Sequence, residues 1–396
     1  MDKYSALQQY FGHSAFRTGQ EAAVDALLAG RDVMCVMPTG AGKSVCYQLP
    51  ALLSDGITLV VSPLISLMKD QVSALKLAGI RAAYLNSSLT PGQYRTALER
   101  AKGGEYKLIY VAPERLDTPQ FLQFAKNADI AFLIVDEAHC ISQWGQDFRP
   151  SYLRITEFVN MLPRRPVMGA FTATATKTVR TDIEAALGLK GPLCLTTGFD
   201  RPNLYFAVEK PRDKYRALLR CLSRGADRPA IVYCSMRKTV DEVCERLNGD
   251  GVPTVKYHAG LPDEERRSAQ EDFQFDRARV MAATNAFGMG IDKSNVGQVI
   301  HYNMPKDVES YYQEAGRAGR DGEDADCILL YSGQDVVTAR WLITHSRENS
   351  ELDAQTRSHI LACELERLRQ MTFYSTTHGC PSPDNLPERS AYIPPP

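Results

Sequence analysis

Short, wholly apolar runs alternate with longer amphipathic stretches along most of the chain. DVMCVM (32–37), TLVVSP (58–63), KLIYVAP (107–113), AFLIVDEAH (131–139) and VMGAFTA (167–173) read as strands that are apolar on both faces. That is the pattern of a parallel sheet covered by helices on both sides. The segments between them are long enough for crossover helices. The same alternation resumes at LYFAVE (204–209), AIVYCS (230–235), TVKYHA (254–259), RVMAATN (279–285), QVIHYNM (298–304) and DCILLYS (326–332). Two α/β lobes in tandem are predicted. Their boundary falls near TTGFDRPN (196–203), where Gly, Asp, Pro and Asn favour turns. Beyond about residue 335 the apolar spacing becomes helical, and GCPSPDNLPERSAYIPPP (379–396) reads as a loose tail. The expected division is 1–200, 201–340 and 341–396, the last a short helical segment with its tail.

Composition narrows the class. The 396 residues carry 46 basic and 47 acidic side chains, a net charge of −1. A whole-chain basic footprint is absent, so any nucleic-acid site must be a local patch. No stretch approaches the ~20 apolar residues of a membrane span, and MDKYSALQQYFGH lacks a signal pattern. A soluble cytoplasmic protein is the default expectation. None of the ten cysteines forms a CxxC pair. Cys35, Cys194 and Cys234 lie in apolar or strand-like runs, where a free cysteine acts as a small hydrophobe.

The chemistry begins directly after the first strand, at Met37-Pro38-Thr39-Gly40-Ala41-Gly42-Lys43-Ser44. Gly40 and Gly42 allow a tight backbone turn whose N–H groups can face phosphate, with Thr39 and Ala41 completing the loop. Lys43 can reach the β and γ phosphates of ATP, and the Ser44 hydroxyl can ligate Mg²⁺. Met37 stands where the general phosphate-loop pattern has its first glycine. A second half-site, Asp136-Glu137-Ala138-His139, ends a wholly apolar strand. Carboxylates there sit in the crevice where open α/β sheets bind ligands. Asp136 can hold Mg²⁺ through water, and Glu137 can orient an attacking water.

A DEAH run after a phosphate loop resembles a superfamily-two helicase, and the finer match is to the RecQ family. FGHSAFRTGQ (11–20) is similar to that family's adenine-recognition motif. The resemblance implies that His13 stacks on the base, Arg17 supports the nucleotide region and Gln20 reads the adenine edge. AHCISQWGQDFRPSY (138–152) resembles the family's aromatic-rich loop, which links DNA binding to hydrolysis. In physical terms Trp144, Phe148 and Arg149 suit stacking on unpaired bases and phosphate contact. FTATA (171–175) resembles the motif joining hydrolysis to lobe movement, through two hydroxyls that can bond across an interface. VSPLISLMKDQ (61–71) and YVAPERL (110–116) resemble backbone-gripping segments, with Lys69 and Arg115 as contacts.

ATNAFGMGIDK (283–293) and YYQEAGRAGRDG (311–322) carry the second-lobe resemblance. Arg317 and Arg320, three residues apart, would share a helix face or ring one turn, from which an arginine can stabilise charge on a γ-phosphate. The family match makes Arg320 the arginine finger, Arg317 its partner and Gln313 a coupling or nucleotide contact. YCSMRKTVDE (233–242) and YHAGL (257–261) add Ser235 and His258 as DNA-side contacts. The resemblance spans about residues 4–375 and implies two RecA-like lobes. It also implies ATP with Mg²⁺, translocation 3′ to 5′ on single-stranded or tailed duplex DNA, and a role in repair and recombination at the chromosome.

The match stops at the C-terminus. RecQ proteins usually continue into a four-cysteine zinc module and a winged helix that carries the duplex-splitting hairpin. Here Cys380 falls where the first zinc ligand would be, and no cysteine follows it. His359, Cys363, His378 and Cys380 are donors whose spacing fits no common zinc pattern, so zinc is not expected. Two other readings stay open: an RNA helicase with the same engine, and an ATP-switched DNA-binding module that does not unwind. No protein partner is specified.

Overall fold

The computed structural model describes residues 1–38, 40–145, 148–198, 201–225, 227–287, 293–345 and 353–377, apart from the Ser66 side chain. The chain divides into two compact units between residues 199 and 200.

The first unit holds strands β1 (Val33–Val36), β2 (Ile57–Val61), β3 (Ala82–Leu85), β4 (Leu108–Val111), β5 (Ile130–Val135), β6 (Val167–Thr172) and β7 (Leu193–Thr196). They form one parallel sheet in the order β3-β4-β2-β5-β6-β1-β7. Its helices are α1 (Lys3–Phe11), α2 (Gln20–Leu28), α3 (Lys43–Leu53), α4 (Ile65–Leu77), α5 (Pro91–Lys102), α6 (Pro119–Asn127), α7 (Arg154–Asn160) and α8 (Lys177–Leu187). Each of the five apolar runs holds a strand, and β1, β2 and β4 are buried throughout. On one face Leu27, Cys46, Tyr47, Met68 and Val72 pack against Val33, Cys35, Val60, Tyr110 and Phe171. Fully burying each of the larger aliphatic or aromatic side chains contributes roughly 1.5–3 kcal/mol.

β3 and β7, which the apolar pattern does not single out, are the two edges of this sheet. On β7 half-buried Leu193 and Leu195 alternate with exposed Cys194 and Thr196. Cys194, expected to be a small buried hydrophobe, is therefore exposed, because an edge strand shows one row of side chains to solvent. Cys35 and Cys234 are buried.

The second unit holds β8 (Leu204–Glu209), β9 (Ala230–Tyr233), β10 (Thr254–Tyr257), β11 (Val280–Ala283), β12 (Gln298–His301) and β13 (Ala325–Leu330). All pairings are parallel, in the order β10-β11-β9-β12-β13-β8. The helices are α9 (Lys214–Arg224), α10 (Arg237–Gly249), α11 (Asp263–Gln274), α12 (Val308–Ala315), α13 (Gly333–Thr344) and α14 (Ala354–Thr376). α9 and α10 pack on one cluster, and α11 and α12 on another. Leu368 and Met371 of α14 close over Met304, Tyr311, Ala339 and Ile343. The helical C-terminal segment thus belongs to the core of this unit. Its expected loose tail lies outside the described residues. Among the described residues no helix is long and apolar enough to cross a membrane.

The two α/β units with wholly parallel sheets match the expected fold class. In the first unit β1, β6 and β5 are neighbours. Val36 pairs with Thr172, and Val135 with Ala170. Their C-terminal ends therefore set three loops side by side.

Candidate functional site

The phosphate loop leaves β1 with Met37 N–H bonded to the Thr172 carbonyl at 3.0 Å, which carries the ladder one residue past the strand. Gly40 (φ 85°) and Gly42 (φ 77°) then take the left-handed conformation that side chains disfavour. At Gly42 the constraint is also spatial, since a Cβ there would lie 2.5 Å from Gln20 Nε2. Lys43 opens α3 and donates to the Met37 carbonyl at 3.2 Å, so its ammonium arches over the loop. Gly42 caps α3 without a side-chain hydrogen bond, which leaves the first amides of the helix for an anion. Ser44 lies half-buried in that first turn. Thr39 lies outside the described residues.

The segment before α2 braces this loop. Arg17 Nη1 donates to the Gly40 carbonyl at 2.5 Å. Gln20 is buried, accepts the Arg17 N–H at 2.8 Å, and donates to the carbonyls of Ala41 (3.0 Å) and Gly42 (3.1 Å). The Gln20 amide is thus engaged by the loop itself. His13 is exposed just beyond the end of α1.

Asp136 and Glu137 follow β5 and are both buried. Burial and the neighbouring Glu137 charge push the Asp136 carboxyl up to about 7, while Lys43 and the Glu137 N–H (3.1 Å) oppose that shift. Two carboxylates at so dry a position call for a cation. Glu137 takes positive φ (47°), rare outside glycine, and its Oε2 is buried with no hydrogen-bond partner among the described residues. These features fit a hydrated divalent ion beside a phosphate-bearing ligand. Tyr152 donates its hydroxyl to the Asp136 carbonyl at 3.0 Å. His139 Nδ1 lies 2.8 Å from Thr172 Oγ1 and 3.4 Å from Glu137 Oε2. The Thr172 hydroxyl also lies 3.0 Å from the Thr174 carbonyl, so His139, Thr172 and the end of β6 form one hydrogen-bonded cluster.

The aromatic loop departs from the sequence expectation in one residue. Trp144 is 46% exposed, and its N–H bonds Ser142 Oγ at 3.2 Å. Gly145 holds the loop against the DEAH turn, where a Cβ would lie 2.2 Å from the His139 carbonyl oxygen. Phe148, expected to stack on bases, is only 8% exposed. Its ring packs inward, as an anchor for the loop. Arg149 donates to the Pro63 carbonyl at 2.9 Å and so ties the loop to the segment preceding α4. On α4 Lys69 is exposed. Arg115 is half-buried over the Tyr94 ring, 5.2 Å from its centroid.

In the second unit α12 ends at Ala315, and the GRAGR run forms the turn after it. Arg317 is buried near Tyr233. Arg320 is half-buried, and Gln313 lies on α12. Glu314 Oε2 meets His301 Nε2 at 2.9 Å in the core. The turn is held from a direction that the sequence did not suggest. Arg201 donates to the carbonyls of Gly316 (3.0 Å), Ala318 (2.9 Å) and Gly319, and Asn203 donates to Gly319 (2.9 Å) and Glu323 (2.8 Å). Both residues come from the stretch read as the boundary between the lobes. An arginine and an amide among turn-formers were the available signal.

Ser235 lines a 400 Å³ cavity together with Asn303, Lys306 and Trp341. His258, expected on the DNA side, is buried, accepts the Gly260 N–H at 3.2 Å and faces Asp241 Oδ1 at 3.4 Å. Of the zinc-type donors, His359 Nε2 and Cys363 Sγ lie 3.7 Å apart on α14. His378, Cys380 and residues 288–292 of the GMGID run lie outside the described residues.

Residues 17–181 match the family model for DEAD/DEAH box helicases, and residues 213–322 match that for the helicase conserved C-terminal domain. The chain is 47% identical over 377 residues to the ATP-dependent DNA helicase RecQ of Bacillus subtilis, covering 95% of this chain and 62% of that protein. It is 44% identical to the Haemophilus influenzae protein of the same name, over 88% of this chain and 56% of that one. A probable ATP-dependent DNA helicase, RecS of Bacillus subtilis, is 40% identical over 85% of this chain and 68% of its own length. This chain thus spans less than two thirds of the two RecQ proteins. In fold it resembles a DEAD-box helicase solved with ssRNA and UDP-BeF, with TM-score 0.72 at 16% identity over 92% of this chain and 80% of that one. It also resembles the Mycobacterium smegmatis helicase Lhr bound to ssDNA and AMP-PNP, with TM-score 0.65 at 20% identity over 87% and 50% of the two chains.

Proposed function

The chain belongs to the RecQ family of helicases, and we propose that it is an ATP-driven motor that moves 3′ to 5′ along single-stranded DNA. One observation carries this reading. The phosphate loop, the Asp136–Glu137 pair and the Trp144 loop lie on adjoining strand ends of one sheet, with His139 bonded to Thr172 between them. A change at the nucleotide therefore reaches an exposed indole through a few rigid contacts.

In this reading residues 1–200 are the ATP-binding lobe, 201–340 the second motor lobe, and 341–396 a helical extension with its tail. Backbone amides of Thr39, Gly40, Ala41 and Gly42 cradle the phosphates, and Lys43 neutralises the β and γ groups. Ser44 and Asp136 would hold Mg²⁺, whose charge offsets that of the phosphates. Glu137 orients the attacking water, and its buried Oε2, which accepts no hydrogen bond among the described residues, supports that role. Arg320 acts as the arginine finger beside Arg317, with Gln313 contacting nucleotide. His13 and Arg17 flank the base, and Gln20 reaches the adenine edge by exchanging its loop contacts for the ligand. Trp144 stacks on a base, while Lys69, Arg115 and Arg149 lie along the backbone path. Phe148 and His258 are assigned structural roles, and zinc none. The setting is repair and recombination of chromosomal DNA.

The relatives' names support DNA over RNA as the track. The test is strand separation of duplexes with a 3′ or a 5′ tail, each as DNA and as RNA, in the presence of ATP. Separation of the 3′-tailed DNA alone supports the full reading. DNA-stimulated hydrolysis without separation reduces it to a translocase, and activity on RNA only replaces DNA with RNA.

A further inference from the structure

A chain of polar side chains, buried at Gln48 and Tyr110 and half-buried at Gln71, runs through the first unit from the phosphate-loop helix to α4. Gln48 lies on α3, five residues beyond Lys43, and is only 4% exposed. Its amide donates both hydrogens: one to Gln71 Oε1 of α4 at 2.8 Å, the other to the Tyr110 hydroxyl of β4 at 2.9 Å. Tyr47, the residue before Gln48, packs in the same buried cluster as Tyr110. Both tyrosines are fully buried within electrostatic reach of Asp136. Cys46, Met68, Val72, Leu75 and Phe171 surround the group.

Apolar side chains of similar volume would fill this space at no cost in packing. A buried amide is instead expensive unless each of its hydrogens finds a partner, and the partners here fix one geometry. The amide spans α3, whose N-terminus is the phosphate loop, and α4, whose exposed face bears Lys69. A rotation of α3 on phosphate binding must either break the Gln48 bonds or carry Gln71 with it.

We infer that Gln48 is a positioning residue that couples the phosphate loop to α4, so that nucleotide binding resets the helix carrying Lys69. The inference rests on the proposed nucleotide site and adds the path by which that site acts on the rest of its lobe. Gln48 touches no reacting atom in this role. Its effect passes through Gln71 and Tyr110.

The experiment is hydrogen exchange on the full chain, with and without Mg²⁺ and AMP-PNP, read separately at residues 37–44 and 65–77. In the unsubstituted protein nucleotide should protect both segments. Gln48→Leu, and independently Gln71→Met, should keep protection at the phosphate loop while losing about five-fold or more of the response in α4. A merely structural role would raise exchange throughout the unit with or without nucleotide and leave the α4 response intact, which would overturn the coupling. Gln71→Met keeps the test open if Gln48→Leu fails to fold. Protection at the loop with no α4 response in the unsubstituted protein also defeats the coupling. No protection at the loop instead defeats the nucleotide site, and with it the premise.

Discussion

His139 and Thr172 are joined by a 2.8 Å hydrogen bond between the ring Nδ1 and the side-chain hydroxyl, which locks the DEAH turn to the end of β6. The FTATA hydroxyls were expected to reach across an interface. Thr172 instead turns inward and passes its hydrogen to the Thr174 carbonyl. Thr172→Val keeps the shape and removes this hydrogen bond from a buried position, at a cost of about 1–3 kcal/mol. Turnover should fall roughly ten-fold or more, with the KM for ATP little changed, because loop 37–44 is untouched. Steady-state kinetics on the variant check this. A loss confined to KM would separate His139 from the hydrolytic step.

Arg201, just before β8, holds three carbonyls of the arginine turn. Arg201→Lys keeps the charge but cannot match the fork, so it should still cost about 1.5–3 kcal/mol on unfolding. Gly319→Ala should harm the same turn, since its φ is 53° and a Cβ would lie 2.6 Å from Asn203 Nδ2. Both variants should lower turnover by displacing Arg317 and Arg320. Denaturant melts paired with hydrolysis rates test whether stability and activity fall together.

Trp144 and Phe148, four residues apart, should respond in opposite ways. Trp144→Ala removes a 46% exposed indole and should leave stability nearly unchanged while weakening single-strand binding by about 1–3 kcal/mol. Phe148→Ala empties a buried site and should cost about 3–5 kcal/mol of stability. Thermal melts and DNA titrations on both variants check the contrast. Equal melting temperatures would mean that Phe148 is not the anchor.

Asp70, on α4, has its carboxyl pushed up from 3.8 to about 6 by burial, against a smaller opposing effect of Lys69. The folded protein therefore retains a proton that the unfolded chain has released across that window. Folding stability from this group is complete below pH about 4 and declines as pH rises through about 6. Asp70→Asn should raise the melting temperature at pH 7.5 and leave it unchanged near pH 4. An equal shift at both values would show that burial does not set this titration.

Much of the fold was legible because parallel strands buried on both faces are wholly apolar. The runs at 32–37, 107–113 and 326–332 each became a strand. β7 escaped notice because an edge strand needs only one apolar row, and LCLT shows it by alternation over four residues. In the site, Lys43 and Glu137 were readable from spacing after a strand. Phe148 was not, because an aromatic in a polar loop reads alike whether it anchors the loop or binds a base. Arg201 and Asn203 were hidden for another reason. Their partners are backbone carbonyls more than a hundred residues away, and carbonyls leave no mark in a sequence.

The most direct test of the motor is ATP hydrolysis with and without single-stranded DNA, in the unsubstituted chain and in Glu137→Gln. Strong DNA stimulation, abolished in Glu137→Gln while ATP stays bound, is the expected result. Undiminished turnover in Glu137→Gln, or a rate indifferent to DNA, would contradict the reading at its centre.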